Sequence, residues 1–170
     1  CAAGAALADN IPFETIREGL ANYRSTKKRF EYKGTVGDVM VIDDYAHHPS
    51  EIRATLEAAS EVPHKELYVV FQPHTYSRTK SFLPDFIDAL SAADHIVLAD
   101  IYPAREKDPG DIHSLDIVKG LKEKGKDCCY FPTFDEIENF LLKNISPGDM
   151  LITMGAGDVV SIGESLLGIH

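Results

Sequence analysis

The chain has 170 residues, 44% of them hydrophobic, and a formal net charge of −10, which is the size and composition of one soluble globular domain. The acidic balance argues against a nucleic-acid backbone or an anionic membrane as partner, and no apolar run approaches the roughly 20 residues of a membrane-spanning helix. Three cysteines without a CxxC pair indicate neither a disulfide framework nor a zinc site, so a reducing cytoplasm is the expected compartment.

The first part of the chain is expected to form two helices and a linker. Residues 1–9 are alanine-rich, and Pro12 suits the first turn of a second helix that continues to about Tyr23. We expect residues 1–27 to be the tail of a preceding domain with its linker, and residues 28–170 to be the following domain. A start without methionine fits a piece of a longer protein.

From residue 29 onward, strand-like and helix-like segments alternate. Strands are expected at 29–33, 39–43, 67–71, 95–99, 128–131 and 150–154. Helices are expected after Ser50 and Ser114 as N-caps, after a Thr133–Glu136 capping box, through Phe82, Phe86 and Leu90, and over 159–167. This alternation predicts a Rossmann-like α/β fold, with a mostly parallel sheet, helices on both faces and an antiparallel hairpin at its start.

Ligands of an open parallel sheet bind where the carboxyl ends of its strands meet helix N-termini. The loop over 43–51 combines two adjacent aspartates and two adjacent histidines at such a place. Its carboxylates can accept hydrogen bonds from a ribose or order magnesium-bound water, and a histidine can bind phosphate or accept a proton from an amine. A capped turn, in which His48 and Pro49 only shape the helix entry, explains the same residues. Zinc is disfavoured, because the adjacent histidines point in different directions and no third ligand is recognisably spaced.

Three further loops lie at the same predicted edge. The loop over 72–80 delivers Arg78, whose planar guanidinium can hold a carboxylate through two hydrogen bonds, or can simply be solvated. The loop over 102–111 is more typical of a solvated surface or lid. The Gly-Ala-Gly-Asp run over 155–158 can approach an anion or form a tight turn, but it lacks the full GxGxxG dinucleotide pattern. No GxxxxGK[ST] phosphate-binding loop occurs in the sequence.

The order of these motifs resembles the C-terminal third of the Mur ligase family, and within it the member that adds L-alanine. The resemblance rests on Arg-Phe-Glu (29–31), Asp-Asp-Tyr-Ala-His-His-Pro-Ser-Glu (43–51), Phe-Gln-Pro-His-Thr-Tyr-Ser-Arg (71–78), Tyr-Pro-Ala-Arg-Glu (102–106) and Gly-Ala-Gly-Asp (155–158). It covers nearly the whole chain, and the two histidine-containing motifs are its specific part.

The resemblance implies an amino-acid-delivering domain that works with an N-terminal UDP-sugar domain and a central ATPase domain of the same protein. In the L-alanine-adding member of that family, ATP phosphorylates the carboxylate of UDP-N-acetylmuramate, and the amine of L-alanine attacks the acyl phosphate. Mg²⁺ assists and is held mainly by the central domain. The implied enzyme is a cytoplasmic ligase of peptidoglycan synthesis without nucleic-acid or membrane partners. The 170 residues, which lack a phosphate-binding loop, are expected to be inactive alone.

The resemblance also implies roles for individual residues. Arg29 would contact the nucleotide phosphates, and Asp44 the ribose or its hydration. Tyr45 and His47 would lie beside the reacting groups as catalytic residues.

On the amino-acid side, the resemblance implies that His74 and Arg78 face L-alanine, with Arg78 binding its carboxylate. Thr75 stands where some relatives carry a second arginine, so the carboxylate is expected to be held less strongly or shared differently. Two other functions stay open: a sister ligase that attaches a recycled murein tripeptide to the same sugar, and a non-catalytic module that binds a nucleotide or an amino acid.

Overall fold

A computed structural model describes residues 2–22 and 26–169 of the chain. Its strands are β1 (Glu31–Val36), β2 (Val39–Asp44), β3 (Leu67–Phe71), β4 (His95–Leu98), β5 (Asp127–Tyr130) and β6 (Met150–Met154). Its helices are α1 (Ala2–Ala8), α2 (Phe13–Ala21), α3 (Pro49–Ser60), α4 (Tyr76–Ser81), α5 (Leu83–Leu90), α6 (Ser114–Glu123), α7 (Phe134–Asn144) and α8 (Val160–Leu166). No helix in this part of the chain is long and apolar enough to cross a bilayer.

The strands form one sheet in the order β1-β2-β6-β3-β4-β5. β1 is antiparallel to β2, and every other pair is parallel. The predicted α/β architecture, including the antiparallel hairpin at its start, is therefore confirmed. The last strand, β6, lies between β2 and β3, and this insertion brings the loops after those three strands together.

Both faces of the sheet are covered, as predicted. β3 and β6 are buried along their whole length, which explains why, apart from Thr153, they are apolar at successive positions rather than at alternate ones. One face packs against α3, α5 and α6, where Phe86 of α5 lies against Phe71 of β3 with ring centroids 5.5 Å apart. The other face packs against α7 and α8 through residues such as Ile137 and Ile162. The site at the carboxyl edge thus rests on a rigid, doubly covered sheet.

The N-terminal helices bury little apolar surface. Ile16 is the buried residue of α1 and α2, whereas Leu7, Phe13 and Leu20 are more than half exposed. The predicted end of the second helix at Tyr23 lies outside the described residues.

Histidines cap two helices for which serines were predicted, so both predictions were wrong. His48 caps α3: its Nδ1 accepts from the backbone N–H of Ser50, and the carboxylate of Glu51 accepts from the backbone N–H of His48. His113 caps α6 in the same way, and the hydroxyl of Ser114 instead donates to a backbone carbonyl across the sheet edge. An imidazole nitrogen without a proton is an acceptor like a serine oxygen, so it satisfies the same unpaired N–H groups.

Two other helix predictions differ in detail from the structure. The helix expected through Phe82 is divided there into α4 and α5, because Pro84 has no N–H and would clash with the preceding turn of a continuous helix. Thr133 caps α7 as predicted, by accepting from the N–H of Glu136 (3.3 Å). The carboxylate of Glu136 accepts from the hydroxyl of Thr133 rather than from its N–H, so the capping box is half present.

Candidate functional site

The carboxyl ends of β2, β6 and β3 lie side by side in the sheet. Asp44 pairs with Met154, and Met154 with Phe71, so the loops after these strands begin level with one another. The loop after β4 joins them through an isolated bridge between His74 and Tyr102. The four loops with unusual polar residues therefore meet at one edge of the sheet, where a parallel sheet binds its ligands.

Gln72 fastens the loop after β6 to the loop after β3. Its amide donates to Oδ1 of Asp158 (3.1 Å), and its Oε1 accepts from the N–H of Asp158 (3.1 Å). A Cβ at Gly155 would lie 2.7 Å from the backbone oxygen of Gln72, and one at Gly157 would lie 2.2 Å from its Oε1. Close packing of the two loops therefore accounts for both glycines of the Gly-Ala-Gly-Asp run.

Asp44 is buried, and both oxygens of its carboxylate are hydrogen-bonded within the chain. Oδ1 accepts from the N–H of Ala46 (2.8 Å). Oδ2 accepts from the N–H of Phe30 (2.9 Å) and from the hydroxyl of Thr55 (3.0 Å). Because a carboxylate offers about four acceptor positions, these bonds leave Asp44 little capacity for a ligand. Asp44 ties the hairpin to α3 whatever else it does.

The neighbouring acid, Asp43, faces the opposite side of the sheet, because side chains alternate along a strand. Its Oδ1 accepts from the hydroxyl of Thr153 (2.8 Å). Burial raises the pKa of Asp43, although the bond from Thr153 and the charge of Lys33 work in the other direction. The two adjacent acids therefore do not act as a pair at the site.

Arg29 lies at the rim of an open groove of about 310 Å³ between the hairpin and α3. Its side chain is 54% exposed, and its Nη1 lies 3.5 Å from Oε1 of Glu51. Asp44 and Thr55 line the same groove, so the structure brings Arg29 and Asp44 together. An exposed guanidinium at the rim suits a phosphate or another anion.

Glu51 organises the loop that precedes α3. Its Oε2 accepts from the N–H groups of His47 (3.1 Å) and His48 (3.2 Å). Burial works against ionisation of Glu51, but the bond from the His47 N–H and the charges of His47 and Arg29 outweigh it and lower the pKa of Glu51. Glu51 is therefore an anion at neutral pH and lies between Arg29 and His47.

The hydrogen bond of the His47 ring defines its tautomer. Nδ1 lies 2.9 Å from the backbone oxygen of Tyr45, and because a carbonyl oxygen only accepts, Nδ1 carries the proton. Nδ1 also lies 3.5 Å from Oε2 of Glu51. In neutral His47 the other nitrogen, Nε2, is therefore the proton acceptor. The residue has the arrangement of a general base whose orientation is fixed by its neighbours.

His74 has the opposite tautomer. Arg78 donates from Nη1 to Nδ1 of His74 (3.2 Å), so the proton of neutral His74 is on Nε2. Burial lowers the pKa of His74, and the charges of Arg78 and His47 lower it further, while Glu106 opposes them. His74 is therefore neutral at pH 7 and offers an N–H donor where His47 offers an acceptor.

Four aromatic rings form a row across the site. The ring of Tyr45 meets the edge of His47 at 5.4 Å, His47 lies 5.7 Å from His74, and His74 stacks on Tyr102 at 5.6 Å. Glu51 connects this row to Arg29. The six predicted site residues thus form two adjoining groups: Arg29 with Asp44 at the groove, and Tyr45, His47, His74 and Arg78 along the row.

Thr75 adopts a strained backbone conformation, with φ 68° and ψ 143°. A positive φ is rare for a β-branched residue, because its Cβ crowds the backbone. The conformation is held by the N–H of Thr75, which donates to Tyr102 (2.8 Å), and by its carbonyl, which accepts from the N–H (3.1 Å) and hydroxyl (2.7 Å) of Thr79. This strain lies between His74 and Arg78, and strain of this kind is concentrated at functional sites.

Sequence reasoning missed several residues that build the site. The roles of Gln72, Thr55 and Glu106 depend on contacts between loops far apart in the chain, so no local pattern signalled them. Glu51 had a signal, since an acid three residues into a helix is the second half of a capping box. Among residues 2–22 and 26–169, no group of three or more histidine, cysteine or acidic side chains is arranged to hold a metal ion.

The family match and similar known proteins agree with one another. The family described as Mur ligase, glutamate ligase domain, matches residues 28–157. The UDP-N-acetylmuramate–L-alanine ligase of Lachnoclostridium phytofermentans is 60% identical over 152 residues, which are 89% of this chain and 32% of that protein. The enzyme of the same name from Agathobacter rectalis is 60% identical over 154 residues, 91% of this chain and 34% of that protein. The chain thus spans about a third of the length of these relatives.

Solved structures show the same fold. The UDP-N-acetylmuramate–alanine ligase of Thermotoga maritima superposes with a TM-score of 0.76 at 28% identity, over 96% of this chain and 35% of that one. A murein peptide ligase from Psychrobacter arcticus superposes with a TM-score of 0.70 at 23% identity, over 96% of this chain and 34% of that one. The second likeness concerns the fold alone.

Proposed function

The chain belongs to the Mur ligase family, and from this premise we propose that it is the C-terminal, amino-acid-delivering domain of a ligase that joins L-alanine to UDP-N-acetylmuramate at the expense of ATP. The observation that carries the proposal is the 60% identity to a UDP-N-acetylmuramate–L-alanine ligase over 89% of the chain. Within this proposal, residues 1–27 are the tail of the ATPase domain with its linker, and residues 28–170 are the C-terminal domain. The free thiols of Cys128 and Cys129 fit a cytoplasmic enzyme.

The proposed reaction needs a base beside the attacking amine. ATP transfers a phosphoryl group to the muramoyl carboxylate, and the amine of L-alanine then attacks the carbonyl carbon and displaces phosphate. The alanine ammonium must lose a proton before it attacks, and Nε2 of His47 is an oriented acceptor for that proton. Tyr45 holds His47 in this tautomer through its backbone oxygen. Neutral His74 supplies an N–H donor across the same space.

On the nucleotide side, we assign the groove between the hairpin and α3 to part of ATP. The exposed guanidinium of Arg29 suits a phosphate, and the remaining acceptor position of Asp44 suits one ribose hydroxyl. Mg²⁺ would neutralise phosphate charge during the transfer, and we assign its main ligands to the central domain. The residues described contribute Arg29 and the anion Glu51 to the charge balance of this region.

On the amino-acid side, we assign the carboxylate of L-alanine to Arg78. One guanidinium N–H is bonded to His74, and the planar group has further donors that can form a paired contact with a carboxylate. Thr75 contributes no positive charge, so Arg78 supplies the cation beside His74 within a chain of net charge −10.

An assay of product identity tests this function. The intact protein is incubated with ATP, UDP-N-acetylmuramate and either L-alanine or a murein tripeptide, and the UDP-linked products are weighed by mass spectrometry. The proposal expects ADP release and a product carrying one alanine. A product formed only with the tripeptide would instead establish the sister ligase. Binding of nucleotide or alanine without any product would establish the non-catalytic module.

A further inference from the structure

The loop over 102–113 has no role in the proposed chemistry, but its residue Glu106 is hydrogen-bonded to another loop. Its Oε2 accepts from the backbone N–H of Ser77 (2.9 Å), and its Oε1 accepts from the hydroxyl of the same residue. These bonds join two loops that are 29 residues apart in the chain. Ser77 lies in the first turn of α4 and immediately precedes Arg78.

Glu106 provides a hydrogen-bond acceptor that the N-cap residue of helix α4 does not provide. Thr75, the residue at the N-cap position, makes no side-chain bond to the helix. The unpaired N–H groups of a first turn need acceptors, and a negative charge is the favoured partner there. The carboxylate of Glu106 supplies that acceptor from another loop.

The loop is attached to the same segment at further points. The backbone of Tyr102 donates to the carbonyl of Pro73 (2.8 Å) and accepts from the N–H of Thr75 (2.8 Å). At the far end of the loop, Asp111 forms an ion pair with Lys80 of α4. The loop over 102–113 is therefore a support along the length of the segment that carries His74 and Arg78.

The charge of Glu106 also acts on the site. The bonds from the hydroxyl and N–H of Ser77 lower the pKa of Glu106, with Arg78 adding to the effect, so the carboxylate is ionised at neutral pH. Its charge raises the pKa of His74, against the influence of burial and Arg78. Glu106 is thus coupled to both residues assigned to the amino acid.

We propose that Glu106 is a positioning residue for the amino-acid site: by holding Ser77, it sets the start of α4 and so the direction in which Arg78 presents its guanidinium. This inference rests on the proposed function for the identity of the substrate, but not for the coupling between Glu106 and Arg78. Glu106 itself contacts no reacting group in this proposal. Its effect should therefore appear in substrate binding and not in the chemical step.

The first experiment measures steady-state kinetics of Glu106→Gln and Glu106→Ala in the intact ligase. We expect the KM for L-alanine to rise about three- to tenfold in Glu106→Ala and less in Glu106→Gln, because glutamine keeps one acceptor but loses the charge. The kcat should change less than about twofold, since the chemical groups stay in place. The matched control is Asp108→Asn, which makes the same charge change in the same loop and should leave all three KM values unaltered. A fall in kcat at unchanged KM would overturn the positioning role.

The second experiment asks whether Glu106 acts through Ser77 and Arg78. If it does, the double variant Ser77→Ala/Glu106→Ala should be no worse than Glu106→Ala, and Arg78→Lys/Glu106→Ala no worse than Arg78→Lys. Effects that multiply in both pairs would overturn the inference. If the pairs are coupled but the KM that rises is not that of L-alanine, the positioning role stands and the proposed substrate assignment fails.

Discussion

Replacing Arg78 by lysine tests the assignment of the amino-acid site most directly. The substitution keeps one positive charge but removes the planar group that can form two hydrogen bonds to a carboxylate. It also removes the bond from Nη1 to Nδ1 of His74, which fixes both the arginine and the histidine tautomer. Because the side chain of Arg78 is half-buried, water can take the place of these hydrogen bonds only in part.

The expected magnitude follows from the strength of a guanidinium–carboxylate pair. A charge-assisted hydrogen-bonded pair contributes about 1.5–3 kcal/mol, which corresponds to roughly a ten- to hundredfold change in binding. We therefore expect Arg78→Lys to raise the KM for L-alanine at least about tenfold, since lysine retains the charge but not the paired geometry. The KM values for ATP and UDP-N-acetylmuramate should change by less than about twofold.

ADP release by the intact ligase, measured while each substrate is varied in turn, gives the three KM values. Arg53→Lys is a suitable control, because Arg53 lies on α3 with a half-exposed side chain paired to Asp85 and has no assigned ligand. If all three KM values rise together in Arg78→Lys, Arg78 supports closure of the enzyme and does not bind the alanine carboxylate. Our assignment of the amino-acid site would then be wrong.

Three further predictions concern stability and the nucleotide. Asp44→Ala should lower the free energy of unfolding by about 2–4 kcal/mol, because buried donors lose their acceptor, whereas Arg29→Ala should change it by less than about 0.5 kcal/mol. Both variants should raise the KM for ATP. A loss of stability without a change in this KM would show that Asp44 has a structural role only. Thr75→Gly should raise the free energy of unfolding by about 1 kcal/mol in urea titrations, because glycine adopts φ 68° without strain, and a lower value would contradict the strain argument. The pKa of His74 in the folded protein lies below the ordinary value of 6.5, so the unfolded state binds more protons than the folded state between these two values. The free energy of unfolding should therefore fall as the pH falls through 6.5 towards the folded-state pKa. His74→Gln should reduce this loss, and thermal unfolding measured between pH 5 and about 8 would detect the difference.

The architecture was predictable because the amino-acid composition of each strand reflects how deeply the strand is buried. β3 is apolar at every position and β6 at every position except Thr153, which is the pattern of strands covered on both faces, and the structure places both at the centre of the sheet. The position of β6 between β2 and β3 was not predicted. Nothing local to residues 150–154 distinguishes a central strand from the next strand outward, because the order depends on how all the helices pack.

The site was predictable to a lesser extent, for a related reason. The placement of His47 and Arg78 at one edge of the sheet, in the segments that follow β2 and β3, followed from the general geometry of parallel sheets. The contacts that hold the surrounding loops together were not predictable: the Glu106–Ser77 contact spans 29 residues, and the Gln72–Asp158 contact spans 86. Contacts of such separation leave no periodic pattern in a single sequence.

Residues that build the site differ from residues suited to ligands in how many of their hydrogen-bond donors and acceptors are already bonded within the protein. Gln72 is bonded through both ends of its amide, and Asp44 retains about one of its acceptor positions. By contrast, the hydrogen bond of the His47 ring is made by Nδ1, so Nε2 is the acceptor of the neutral ring, and Arg78 commits one guanidinium nitrogen to His74. A partly buried hydrogen-bond donor or acceptor without a partner in the protein costs free energy unless a ligand or water binds to it. The chemistry should therefore depend on His47 and Arg78. The positions of these two side chains should depend on Glu51 and on the other hydrogen-bonded groups around them.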